Sequence, residues 1–204
     1  MKNKVRGLKL GIKITLTTML IAIVVSLMIG VISINYMEDS LLNASRAQSM
    51  AMAESAANTI DGDQIARIHA GDEGTEDYEV VLAQLKGFLV SDDIEYIYTM
   101  READGVVQFV VDADTEEGAA IGEEYETYDK IDIALAGETS MDDEVTTDEW
   151  GSYYSAFAPI FDSEGNVVAI VGVDCSVDSI DAKINDMTKT LVIIVIICII
   201  LYFL

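Results

Sequence analysis

Two long apolar runs stand out in the pattern of hydrophobic and polar residues, one near each end of the chain. Residues 14–34 contain no charge over 21 positions, and residues 190–204 contain none over 15. A helix needs about 20 apolar residues to cross the ~30 Å hydrocarbon core of a bilayer. The first run therefore predicts a transmembrane helix, placed at 14–36. The second, at 190–204, is too short, so we expect a truncated span in a protein that continues; a hydrophobic tail that ends there is the alternative.

Basic residues before the first run predict its orientation. Residues 1–13 carry five Lys and Arg and no acidic residue, and such a cluster keeps the adjoining terminus in the cytoplasm. The segment 37–185 is then expected outside the cell (plasma) membrane, in a multi-pass protein. A cleaved signal peptide is the alternative. Its apolar region is usually about 7–15 residues long, and no small-residue cleavage site follows Ile34.

The segment that follows the first run has the pattern of a long helix. Positions 37–68 contain no Pro and a single Gly, and Met50, Ala53 and Ala57 recur at helical spacing. We expect one helix to continue from the membrane span to about Asn58. Its many Ala and Ser residues would allow a second helix to approach closely, which suggests a homodimer. High helix propensity alone is the alternative explanation.

A change of period after residue 93 predicts strands. Before it, an apolar stripe predicts a second helix, capped by Thr75 and ending near Val90. After it, runs rich in β-branched and aromatic residues predict strands at 94–102, 106–112, 140–146, 153–161 and 167–175.

The remaining signals connect these strands. The turn 103–105 joins the first two as a hairpin, and a short helix over 129–136 is stopped by Gly137. Ser176 can cap an exit helix that runs unbroken into the second apolar run. The predicted fold class is therefore α+β, with a five-stranded antiparallel sheet and a long N-terminal helix between two transmembrane helices.

The charge distribution narrows the classes of function. The chain has 36 acidic residues against 12 basic ones and a formal net charge of −24. Every acidic residue lies between the two apolar runs. A domain this acidic carries no footprint for the phosphate backbone of nucleic acids, so nucleic acid is not an expected partner.

Metal and cofactor chemistry has little support in the sequence. His69 is the only histidine, and Cys175 and Cys198 lie in different parts of the chain, so no zinc cluster is expected. The acidic run 112–117 resembles a cation loop, but Gly118 comes one place too late for an EF-hand. A solvated acidic loop is the preferred interpretation. We expect no cofactor, no metal and no catalysis in this segment.

The strand pattern near the end of the segment resembles a known family of sensor domains. Residues 150–174 read WGSYYSAFAPIFDSEGNVVAIVGVD: a tyrosine-rich strand, an Ala-Pro step, a Gly-containing turn and an apolar strand ending in Val-Gly-Val-Asp. This pattern is similar to the end of a Cache domain, the PAS-like extracytoplasmic module of bacterial receptors. The runs 94–101 and 110–114 resemble the same family. The likeness covers about 37–185, the length of a single module.

The resemblance implies a function. Single Cache domains typically feed a cytoplasmic chemoreceptor, histidine kinase or cyclic-dinucleotide enzyme, and none of these follows within the sequence. We expect a ligand-sensing input module that binds a small molecule, such as an amino acid or another small amine or carboxylate, and relays a helix displacement across the membrane. An acidic envelope-anchored binding or adhesion module without signalling is the alternative, and a cell-envelope enzyme is a third possibility.

Two charged residues are the main candidates for a ligand site. Asp174 shares a strand face with Ile170 and Gly172, and a carboxylate on an apolar face is costly unless it is paired. A ligand ammonium would pair with it, and Gly172 would leave room for the ligand; bonding to amides of the exit helix is the alternative. Arg101 ends the first strand, where its guanidinium would hold a ligand carboxylate or form a surface ion pair. Together they would suit a zwitterion.

Aromatic and hydroxyl side chains complete the candidate site. Tyr153 and Ser155 share one face of their strand and match the part of the motif that lines the pocket in the resembling family. Trp150, directly before that strand, would wall the pocket or face a cation. Tyr98 and Tyr128 would donate hydroxyls. A place in the hydrophobic core is the alternative for each tyrosine.

Overall fold

The structure is a computed structural model of the chain, and two compact units make it up. One comprises Met1–Leu41 with Ala182–Leu204, and the other comprises Leu42–Asp181. The residues described are 10–89, 94–114, 116, 118–147 and 151–203.

Five helices form in the described part of the chain. They are α1 (Leu10–Thr59), α2 (Gly62–Ile65), α3 (Glu76–Lys86), α4 (Asp129–Leu135) and α5 (Val177–Phe203). The predicted long helix, the helix after Thr75, the short helix at 129 and the exit helix that enters the second apolar run are all present. The single turn α2 was not predicted. Its N-cap, Asp61, accepts hydrogen bonds from two backbone amides of that turn.

Local sequence explains where α3 begins and ends. The hydroxyl of Thr75 accepts a hydrogen bond from the amide of Tyr78, and three acidic residues lie in the first turn, where the helix dipole favours anions. The helix ends at Lys86, with Gly87 as its C-cap. The predicted end near Val90 lies outside the described residues.

One helix in the described part of the chain, α1, is long and apolar enough to cross a membrane by length and composition. The large apolar side chains of its first half are mostly exposed. Within the first unit, a Cβ at Gly30 of α1 would lie 3.7 Å from Cδ2 of Leu191 of α5, which is ordinary van der Waals distance, so the two helices are neighbours at this position. A second membrane span at 190–204 stays a prediction.

The small residues of α1 in the second unit face two directions. Ser45, Ser49 and Ala53 are buried, whereas Ala47 and Ala51 are exposed. Part of the predicted small-residue surface therefore packs against the domain's own core. The homodimer stays a prediction.

Seven strands form one antiparallel sheet in the described part of the chain. They are β1 (Ile94–Ala103), β2 (Val106–Asp112), β3 (Glu124–Tyr125), β4 (Ser140–Met141), β5 (Thr146–Thr147), β6 (Ser152–Phe161) and β7 (Val167–Ser176). Their order is β3-β2-β1-β7-β6-β4, and β5 also pairs with β6. The predicted α+β class is confirmed. In detail, the expected strand 140–146 forms the two short strands β4 and β5, and β3 is additional.

The turn between β1 and β2 occupies the predicted position. Asp104 has a φ of 55° and Gly105 a φ of 81°. Two successive residues with positive φ are typical of the two-residue hairpin turns that match strand twist, and Asp-Gly is a favoured sequence for them.

The sheet separates two hydrophobic clusters. On one side, which we call the aliphatic face, α1, α2 and α3 pack on residues such as Ile97 and Val173. On the other side, the aromatic face, Tyr98 and Phe157 pack with Ile131 of α4. Successive side chains of a strand point to opposite faces. Each long strand therefore contributes to both clusters.

Candidate ligand-binding site

Asp174 lies near the end of β7 on the aromatic face. This strand is central in the sheet, between β1 and β6, and Asp174 is only 6% exposed. Its Oδ1 accepts a hydrogen bond from the Tyr98 hydroxyl at 3.2 Å. Buried surroundings screen charge poorly, so the Coulombic attraction between this carboxylate and an adjacent cation would be stronger than at the surface.

Gly172 makes room for a tyrosine ring beside Asp174. A Cβ at this position would lie 2.3 Å from Cε2 of Tyr98. The sequence suggested that the glycine leaves space for a ligand, and this interpretation is wrong in detail. The space is filled by the ring whose hydroxyl binds Asp174.

Aromatic rings in edge-to-face contact surround the two central strands. The pairs, with their centroid distances, are Tyr98–Phe109 (5.2 Å), Phe109–Tyr125 (5.7 Å), Tyr128–Phe157 (6.0 Å) and Tyr96–Tyr153 (5.5 Å). Edge-to-face pairs stabilise beyond the area they bury, and ring faces attract cations. The aromatic face therefore holds its rings in mutual contact and presents a surface favourable to positive charge.

A second buried carboxylate, Asp142, lies at the edge of the aromatic face. It follows β4 directly and is 2% exposed. Oδ1 accepts a hydrogen bond from the Tyr128 hydroxyl at 2.9 Å, and Oδ2 accepts from the Thr146 hydroxyl at 3.0 Å and the Ser155 amide at 2.9 Å. All three donors are neutral. They satisfy the oxygens of Asp142 without cancelling its charge.

Burial changes the protonation behaviour of these groups. Desolvation raises the pKa of Asp142, although its hydrogen-bond donors act in the opposite direction. Desolvation also raises the pKa of Tyr98 and of Tyr128, and the nearby carboxylates add to this effect. The tyrosines therefore remain neutral donors near neutral pH. Asp142, with its raised pKa, is the group among these that gains a proton in mild acid.

Arg101 is not brought together with Asp174. Its side chain lies on the aliphatic side of the sheet, where the guanidinium donates to the carbonyl oxygens of Ile65, Ala66 and Ile68 at the end of α2. Partial burial there lowers the pKa of Arg101. A cation is favourable at a helix C-terminus because the last carbonyls lack helical partners. The predicted cation–anion pair for a zwitterion is therefore corrected, and Arg101 caps α2 instead.

The structure places four of the other predicted site residues in or beside the aromatic face. Tyr153 and Ser155 are buried in β6, and Ser155 is the cross-strand partner of Asp174. Tyr98 and Tyr128 bind the two buried carboxylates, as described above. Trp150 lies outside the described residues. Ligand binding by any of these residues stays a prediction.

The loop after β2 is held by its first carboxylate. Asp112 accepts hydrogen bonds from the amides of Asp114 at 2.9 Å and Ala119 at 3.0 Å. A Cβ at Gly118 would lie 2.8 Å from the Asp112 Cγ, so this glycine permits the close approach. Burial raises the pKa of Asp112. Within the described ranges, no group of three or more His, Cys, Asp or Glu side chains is placed to hold a metal ion.

Solved structures similar to this chain are ligand-binding domains of bacterial receptors. The ligand-binding domain of the Campylobacter jejuni chemoreceptor Tlp3, in complex with 4-methylisoleucine, matches with a TM-score of 0.51 and 15% identity, over 72% of this chain and 57% of that chain. The periplasmic sensory domain of the C. jejuni chemoreceptor Tlp1 matches with a TM-score of 0.50 and 14% identity, over 72% of this chain and 59% of that one. An extracellular ligand binding receptor from Desulfohalobium retbaense matches with a TM-score of 0.50 and 16% identity, over 73% of this chain and 25% of that chain.

These likenesses show the fold. The chain has the fold of periplasmic sensor domains of bacterial receptors, as predicted, and it spans little more than half the length of the two Campylobacter domains. No protein-family model matches the sequence. No curated protein matches it either. The Cache label therefore rests on the residue pattern of 150–174.

Proposed function

We propose that the chain is the extracytoplasmic sensing part of a multi-pass transmembrane receptor and binds a small molecule through a protonated amine. The observation that carries the proposal is the buried Asp174 carboxylate on a face of tyrosine and phenylalanine rings. An ammonium group would pair with this carboxylate. The rings around it would stabilise the same charge.

The charges around the site favour a cation over an anion. Asp142 adds a second buried carboxylate with neutral donors. Lys130 of α4 is near Asp142, but its Nζ pairs with the Asp143 carboxylate at 2.7 Å. Simple amines and amino acids both carry the required ammonium. The complex of the Tlp3 domain with 4-methylisoleucine supports a ligand of this size on this fold.

The proposed relay runs through β7 into α5. Asp174 lies three positions before Val177, where α5 begins directly after the strand. If β7 can adopt two slightly different placements, a ligand that binds one of them more tightly shifts the population toward that placement. The shift would pass along α5 as a small displacement. This is the action of a binding module and requires no catalytic group.

Isothermal titration of the full chain in lipid nanodiscs tests the proposal. The panel contains primary amines, amino acids, and carboxylates without an amine, such as acetate and succinate. We expect heat from at least one amine-bearing compound. Asp174→Asn should weaken that binding by about tenfold or more, because it removes the charged partner of the ammonium. Asp104→Asn, a matched change in the exposed β1–β2 turn, should leave it unchanged.

Two results would contradict the proposal. One is binding of carboxylates alone, with no heat from any amine. The other is unchanged amine affinity in Asp174→Asn when circular dichroism shows that the variant is folded.

A further inference from the structure

Arg46 of α1 contacts the segment that carries Asp142. Its guanidinium donates a hydrogen bond to the carbonyl oxygen of Asp143. Its Cζ lies 4.7 Å from the centroid of the Tyr154 ring. The Nε of Arg46 is buried and has no hydrogen-bond partner among the described residues. The carbonyl and the ring are two contacts that orient this side chain.

The neighbouring residues Asp142 and Asp143 connect the two sides of the sheet edge. The Asp142 side chain binds Tyr128 at the aromatic face. The Asp143 carbonyl binds Arg46 of α1, while the Asp143 carboxylate pairs with Lys130 of α4. Lys130 lowers the pKa of that carboxyl. This two-residue segment therefore joins α1 and α4 to the edge of the sheet.

We propose that Arg46 is a coupling residue that transmits changes at the aromatic face to α1, by a route separate from β7 and α5. The segment is short, so a movement of the Asp142 side chain also moves the adjacent Asp143 carbonyl. The contact with Arg46 is then either retained, which displaces α1, or lost, which releases it. Both outcomes bias the position of a helix that runs from Leu10 to Thr59 and contains the predicted membrane span 14–36.

The chemistry of the contact requires arginine. A planar guanidinium stacks on an aromatic ring and donates hydrogen bonds from its edge at the same time, whereas a lysine ammonium presents a single point charge. The coupling rests on the proposed function only in that ligand binding would be what starts the movement. The contact between Arg46 and the Asp143 carbonyl exists without a ligand, so a substitution in the site can test whether it transmits a movement to α1.

Hydrogen exchange of the full chain in lipid nanodiscs tests the coupling. Tyr128→Phe removes one donor to Asp142 and serves as the perturbation. We expect it to raise amide exchange in α1 over residues 42–50 by about threefold or more, since exchange reports local opening. In an Arg46→Gln background the same change should give no further increase. Arg67→Gln, which removes an ion pair to Asp77 elsewhere in the domain, serves as the matched control background and should preserve the response.

The outcomes separate this proposal from the binding proposal. Equal responses to Tyr128→Phe with and without Arg46→Gln, or no response of α1 in either background, would overturn the coupling. If Arg46→Gln does not fold, Arg46→Lys takes its place, because it keeps the charge but not the stacking geometry; it should reduce the response. Titration of the unaltered chain with the amine panel decides the binding proposal independently.

Discussion

The two faces of the sheet are both buried, yet they have different chemistry. The aliphatic face combines Ile, Val, Leu and Ala side chains from three helices with the alternate residues of the strands. The aromatic face combines tyrosine, phenylalanine and a few aliphatic side chains with two buried carboxylates. The same strands serve both, because alternate residues face opposite ways. The aliphatic face contributes mainly packing, whereas the aromatic face carries the residues of the proposed recognition site.

This division has a physical basis. Close-packed aliphatic side chains gain free energy from burial and need no polar partner. Aromatic rings and hydroxyls bury area as well, but they also present directional groups to a ligand. A carboxylate on such a face can also pair with the positive charge of a ligand.

The largest expected effect is on the aliphatic face. Leu85 of α3 is fully buried there. Leu85→Ala should lower the free energy of unfolding by about 2–5 kcal/mol, because it removes buried area and leaves a cavity. Urea unfolding followed by circular dichroism measures the change. Leu89→Ala, at a 38% exposed position just after α3, should change it by less than about 0.5 kcal/mol. Similar losses in both variants would contradict the assigned packing.

A smaller effect is expected where the aromatic face is tightly packed. Gly172→Ala should lower the free energy of unfolding by about 1–3 kcal/mol, because the new methyl overlaps the Tyr98 ring. In a Tyr98→Leu background the same substitution should cost less, since the ring is gone. A double-mutant cycle by thermal unfolding measures this coupling. Additive effects would show that Tyr98 does not occupy the space above Gly172.

The smallest effect is the pH dependence of stability. The folded state raises the pKa of Asp142 and Asp112. Between the usual carboxyl pKa and the raised value, it binds more protons than the unfolded state, so stability falls as pH rises through that window. We expect a higher melting temperature at about pH 5 than at about pH 7.5, and relief of self-repulsion among the many acids acts in the same direction.

The affinity for amines should be lower at about pH 5 than at about pH 7.5, which is opposite to the trend in melting temperature. Protonation of Asp142, whose pKa is raised by burial, removes part of the attraction for an ammonium, so affinity should fall where stability rises. Asp142→Asn should flatten the pH dependence of the melting temperature, whereas Asp104→Asn in the exposed turn should leave it intact. A melting temperature that rises with pH in the unaltered chain would run against the expected protonation of the buried carboxylates.

Much of the fold could be predicted because the signals are local. The helix through 10–59 follows from an uninterrupted helical pattern without Pro, and the hairpin turn follows from the preference of Asp-Gly for positive φ. The strand 140–146 was predicted as one element. In the structure it makes two brief pairings with β6, and no periodic pattern distinguishes these from one short strand.

The site was only partly predictable because its contacts are distant in sequence. Asp174 was found from an apolar strand that ends in a carboxylate. Asp142 was missed, since it lies within the run 140–146, which was predicted only as a strand, and its partner Ser155 is 13 positions away. Arg101 was placed with Asp174 because both end strands. The sequence does not show on which face of the sheet Arg101 lies. It also does not show that the carbonyl groups at the end of α2 are available to this side chain.

The sequence by itself determined the order of elements, the alternation of faces along each strand and the candidate span in α1, because these depend on neighbouring residues and on burial periodicity. Only the tertiary structure decided which residues of different strands lie next to one another on the same face of the sheet. Register across β1, β7 and β6 brings Tyr98, Asp174 and Ser155 together, and bending after β4 adds Asp142. Such convergence depends on long-range pairing, which no local pattern encodes.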